Sequence, residues 1–92
     1  MIKTNIDPQY IKYVLVMKHC GYHAHNYEFV SELAHEFAGK TEVISYSPLE
    51  HAIHFDSEEK AASTLSTQPD WVRERHEICP FIKIGTYCAV GI

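Results

Sequence analysis

Long apolar runs are missing from this sequence. The longest, from Val14 to Met17, falls far short of the roughly 20 residues a membrane-spanning helix needs. Cysteine is scarce and unpaired in pattern. Cys20, Cys79 and Cys88 are odd in number and widely spaced, with no Cys-x-x-Cys pair. That excludes a disulfide framework and implies free thiols in a reducing compartment. The four glycines, at 21, 39, 85 and 91, stand alone, so no glycine-rich phosphate loop is present. Basic clusters are also lacking. Lys3, Lys12, Lys18, Lys40, Lys60, Arg73, Arg75 and Lys83 are scattered, and formal net charge is -4. Direct duplex nucleic-acid binding is not expected from such a surface. Residues 1–9 carry no apolar stretch behind positive charge, so no signal peptide is expected. A cytoplasmic location follows by elimination.

What remains is a chain of 92 residues with 46% apolar content, enough for one hydrophobic core and a single domain over 1–92. Residues 11–19 are rich in Ile and Val, and both faces are apolar over 13–17. That pattern predicts a central strand buried on both sides. Residues 26–38 carry Tyr27, Val30, Leu33, Ala34 and Phe37 at three- and four-residue spacing. This spacing predicts a helix with Asn26 as N-cap and Gly39 just past its end. Residues 40–47 and 50–55 read as two strands joined through Ser47 and Pro48. A second helix is expected from Asp56 or Ser57, with Asp56 and Glu59 at capping-box spacing and Ala61, Ala62 and Leu65 facing inward. Gln68 and Pro69 interrupt it, and Asp70 opens a short turn carrying Trp71 and Val72. Residues 78–90 read as a final strand, broken or bulged near Pro80 and Gly85.

The order β-α-β-β-α-β implies an α+β, ferredoxin-like fold: a four-stranded antiparallel sheet with both helices on one face. The expected core is Val14 or Leu15, Val30, Leu33, Phe37, Ile53, Phe55, Leu65 and Ile82.

Chemistry-bearing residues are densest in the loop after the first strand. His19, Cys20, His23 and His25 are of the types that bind zinc, with His51 and His54 as further donors. The spacing matches no established zinc pattern, and polar histidines bonded to backbone or water are the plainer account of the loop. No cofactor is required. A nucleophile at Cys20 would need a base and an orienting group that sequence adjacency does not supply. Tyr10, Tyr13 and Phe55 would suit an RNA-binding sheet, but the charge has the wrong sign and core packing accounts for them. The acidic residues form the other constellation. Glu28, Glu32 and Glu36 repeat every four residues along the outer side of the expected first helix. Asp56, Glu58 and Glu59 open the second. Read plainly, this is a solvated face; read functionally, it is a docking surface for a basic partner.

No family motif matches these residues one by one. In size, single-domain build, acidity and lack of an active-site signature, the chain resembles small phage or mobile-element inhibitors of host defence, such as anti-CRISPR proteins. That likeness implies a non-enzymatic binding protein that occupies a protein or nucleoprotein with a basic surface. The competing readings are a small metal-binding or catalytic domain centred on residues 19–25, and a homodimeric ferredoxin-like regulatory module paired through its open sheet face.

Overall fold

Strand β1 (Ile11–Met17) occupies the middle of a five-stranded sheet. The computed structural model describes residues 7–19, 21–33, 36–37, 40–41 and 45–90. Asp7 caps a 3-10 turn at Pro8–Tyr10 that leads into β1. Successive side chains of a strand point to opposite faces. Val14 and Val16 therefore enter one layer and Leu15 the other, and all three are buried. One layer joins Leu15 to Val30, Ala61 and Val72. The second joins Val14 and Val16 to Phe29, Leu49 and Phe81.

Every pairing in the sheet is antiparallel, in the order β5-β2-β1-β6-β7. Its other strands are β2 (Phe29–Glu32), β5 (Ser45–Ser47), β6 (His76–Ile84) and β7 (Tyr87–Val90). Two short strands, β3 (Glu36–Phe37) and β4 (Lys40–Thr41), pair as a separate two-stranded sheet. Helices α1 (Glu58–Ser66) and α2 (Asp70–Arg75) contribute Ala61 and Val72 to the same Leu15 layer. The fold is thus a mixed α+β domain with a five-stranded antiparallel sheet and two helices on one face. The described residues do not follow the four-stranded βαββαβ order.

The largest departure is the helix expected over 26–38. Residues 27–28 form a turn, and β2 follows from Phe29. Phe29 and Val30 are adjacent and both buried, one in each layer. Only an extended backbone sends neighbouring residues to opposite faces. The demand of β1 for an apolar neighbour on both sheet faces outweighs a weak helix preference. The expected strand over 40–47 survives as β4 and β5, with 42–44 outside the described residues. The expected strand over 50–55 begins instead as a 3-10 turn at Leu49–His51, started by Pro48. Its second half is extended. Phe55 exchanges two backbone hydrogen bonds with Tyr13, at 2.9 and 2.8 Å.

Helix α1 forms where expected, with Ser57 as its N-cap. The Ser57 hydroxyl accepts from the Lys60 amide at 3.1 Å, so the reciprocal pair is not Asp56 with Glu59. Helix α2 starts after Pro69 without a side-chain cap. The last segment is two strands rather than one bulged strand. Gly85 has φ +60 and Ile84 pairs with Tyr87, so Gly85 and Thr86 make a two-residue hairpin turn. Glycine reaches that conformation without strain. Pro80 lies within β6 opposite Tyr13. Tyr13 directs both backbone groups to Phe55, so this is a non-hydrogen-bonded pair and the missing proline N–H costs β1 nothing.

Of the expected core, Val14, Leu15 and Val30 are buried, while Leu33, Phe55 and Leu65 pack half-buried against it. Ile53 and Ile82 are also half-buried. The Phe37 side chain lies outside the described residues. Among the described residues, no helix is long and apolar enough to cross a membrane.

Candidate functional site

The loop after β1 reverses the chain with two non-glycine residues in left-handed conformations, His19 (φ 63) and Tyr22 (φ 56). Such positions are uncommon outside glycine, asparagine and aspartate. Tyr22 is held there at its far end, where its hydroxyl donates to the Glu77 carboxylate on β6. The loop is tied to the 3-10 turn by the Leu49 amide, which donates to the Ala24 carbonyl at 2.9 Å. Leu49 is fully buried beneath it.

Between this loop, the 3-10 turn and β7 lies an open cleft of about 470 Å³, within the usual size range of ligand sites. Tyr22, His23, His25, Glu50, Tyr87 and Cys88 are among its lining residues. Glu50 is exposed and pairs with the exposed His51 at 3.3 Å. Beside the cleft, Tyr87 and its cross-strand neighbour Ile84 are 64% and 51% exposed.

His54 supports the same wall from beneath. Its Nε2 donates to the Leu49 carbonyl at 2.7 Å, which leaves Nδ1 to accept from Lys83 Nζ at 3.2 Å. The ring rests on Phe81, 4.6 Å between centroids. Burial holds its pKa below the usual histidine value; the bond to Leu49 opposes this and the Lys83 charge adds to it. Both described thiols are raised. Burial and Glu77 push up Cys79, while burial and Glu50 push up Cys88 against the pull of Lys83. Raised thiols are poor nucleophiles at neutral pH. Both are free, and the register explains why. Cys88 pairs with Lys83, four positions along β6 from Cys79. That is roughly 13 Å of strand, beyond disulfide reach.

The residues singled out from the sequence are dispersed. His23 and His25 are exposed and share the cleft, whereas His19 is exposed at the end of β1. Cys20 lies outside the described residues. Among the described residues, no group of three or more His, Cys, Asp or Glu side chains is placed to hold a metal ion. The glutamate stripe does not exist as a helix face. Glu28 precedes β2, where one carboxylate oxygen accepts from Asn26 at 2.7 Å and the other is buried without a partner. Glu32 ends β2 and Glu36 belongs to β3. Asp56, Glu58 and Glu59 do gather at the start of α1, where with Ile11 and Tyr13 they line a second, more open depression of about 580 Å³. Lys12 bonds Asp56 at 3.2 Å and, with Lys60 and Lys83, lowers its pKa.

Tyr22, Glu50 and Tyr87 escaped the sequence reading. The two-residue turn at Gly85 and Thr86 was the available signal for Tyr87, since it places the next strand beside β6. Comparison with known protein families, curated proteins and solved structures found no match to this chain.

Proposed function

We propose that the chain is a non-enzymatic binding protein that occupies a macromolecular partner with a basic surface, in the manner of small inhibitors of host defence. One observation carries the reading: an open cleft of about 470 Å³ lies beside a hairpin tip that leaves Tyr87 and Ile84 more than half exposed. Exposed aromatic residues beside a concavity are the usual anchors of interfaces. The charge of -4 and the exposed carboxylates of Glu50, Glu58 and Glu59 favour a basic partner.

The test is capture from extract of the native host, with the captured protein then purified and its affinity measured directly. Wild-type protein should hold one dominant basic partner, and affinity should fall as salt rises. The double variant Ile84→Ser, Tyr87→Ser should lose it. Absence of a specific partner, or equal binding by the variant, would overturn this assignment.

A further inference from the structure

We infer that the cleft is a seat for an arginine side chain, presented on an extended segment of the basic partner; this rests on the binding reading above. A guanidinium is planar, permanently charged and forked. It pairs with a carboxylate through two N–H groups and stacks on aromatic faces. The cleft offers both features. Glu50, its side chain more than half exposed, lines the cleft together with the rings of Tyr22, Tyr87, His23 and His25. The contact Glu50 makes within the chain is to His51, and both side chains are more than half exposed. An exchange of that pair for a bidentate guanidinium therefore costs little.

The neighbouring cation does not occupy the seat. Lys83 lies opposite Cys88 in the register, yet its ammonium turns to His54 Nδ1 at 3.2 Å and it is absent from the cleft lining. Tyr22 is held through its hydroxyl by Glu77, so its ring is positioned before any ligand arrives. Such preorganisation reduces the ordering cost of binding. The start of α1 is the less suitable place for the same ligand. Asp56 is already bonded to Lys12 there, and among the described residues Tyr13 is the one aromatic ring that lines the depression.

The test uses three fluorescent peptides of nine identical residues: arginine, lysine, and the neutral arginine isostere citrulline. Amide shifts are followed in labelled full-length protein. The arginine peptide should bind more tightly than the lysine peptide, and citrulline should not bind. Shifts should concentrate on residues 22–25, 48–50 and 86–90. Glu50→Gln should weaken binding about tenfold or more, as expected for loss of a charge-assisted hydrogen bond. The variant Glu74→Gln, which removes one exposed acid of α2 outside the cleft, should bind as wild type. Shifts confined to α1, or affinity indifferent to Glu50→Gln, would overturn the arginine seat while leaving a binding protein intact. No saturable binding of any basic peptide would also overturn it; capture from host extract then decides the broader reading separately.

Discussion

The fully buried histidine offers the sharpest test of how this fold is held. His76 is 1% exposed and sits where α2 passes directly into β6. Its Nδ1 lies 2.7 Å from the Val72 carbonyl, which can only accept, so that nitrogen carries the proton. In the neutral ring Nε2 is then an acceptor, and the Tyr46 hydroxyl donates to it at 2.7 Å. The two rings stack at 5.6 Å with 14° between planes. This one side chain thus joins α2 to the edge strand β5 across the Leu15 layer. Tyr46→Phe keeps the ring and removes the hydroxyl that donates to His76. Stranding a buried acceptor costs about 1–3 kcal/mol. The whole domain should hold roughly 5–14 kcal/mol, so a cost near 2 is a substantial part. For a chain of this size it lowers Tm by roughly 8–16 °C. His76→Leu removes both bonds and the ring stack, and should cost about 3–4 kcal/mol. Urea unfolding followed by the fluorescence of Trp71 and by circular dichroism measures both, with the slope unchanged if two-state behaviour holds. The double variant should show a coupling of at least about 0.5 kcal/mol. A Tyr46→Phe cost under about 0.3 kcal/mol, or strict additivity, would refute the proposed link.

Other perturbations address separate parts of the molecule. His54 has a folded-state pKa below its unfolded value near 6.5, so the unfolded chain takes up the proton first. Stability should therefore be complete above that value and fall on acidification through it. A His54→Leu variant should show a flatter Tm profile on acidification below about pH 6.5; an identical profile would remove His54 from the account. Asp56, whose pKa is lowered chiefly by Lys12, contributes stability that is lost only at still lower pH, and Lys12→Met should remove most of that part. Thiol titration of unreduced, denatured protein should recover Cys79 and Cys88 as free thiols, with slow reaction of both in the folded state. Gly85→Ala should destabilise by about 1 kcal/mol through its left-handed backbone alone, because a Cβ there meets nothing within 4 Å. Gly85→Asn should cost less.

Much of the molecule could be read from local chemistry. Apolar residues on both faces of 13–17 led directly to a central strand, because only a strand covered on both sides needs them. Ser57 ahead of Glu58 and Glu59, with Pro69 beyond, bracketed α1 through capping and breaking, which act within a few residues. The error lay in the segment after Asn26. Tyr27, Val30, Leu33 and Phe37 satisfy a helical spacing, but that stripe leaves Phe29 without a place. As strand β2, Phe29 reaches Val14, Val16 and Leu49, while Val30 reaches Leu15. A large aromatic residue that a periodic pattern leaves on the wet side is evidence against the pattern, since burying it contributes about 2–3 kcal/mol.

The site was hidden for a different reason. Its walls come from residues 22–25, 48–50 and 86–90, and nothing local relates them. They meet because the turn at Gly85 folds β7 back along β6, and because the Leu49 amide bonds to Ala24. Both depend on which strands neighbour β1. A helix over residues 26–38 makes the glutamates at 28, 32 and 36 a docking stripe and leaves Glu50 an unremarkable strand residue. The corrected pairing reverses that ranking. It scatters the stripe, pairs Asp56 internally with Lys12, and leaves Glu50 lining the same cleft as Tyr22 and Tyr87. A carboxylate's setting depends on the walls around it rather than on its spacing along the chain, and the turn at Gly85 that folds β7 along β6 brings Tyr87 and Cys88 to the cleft that Glu50 lines.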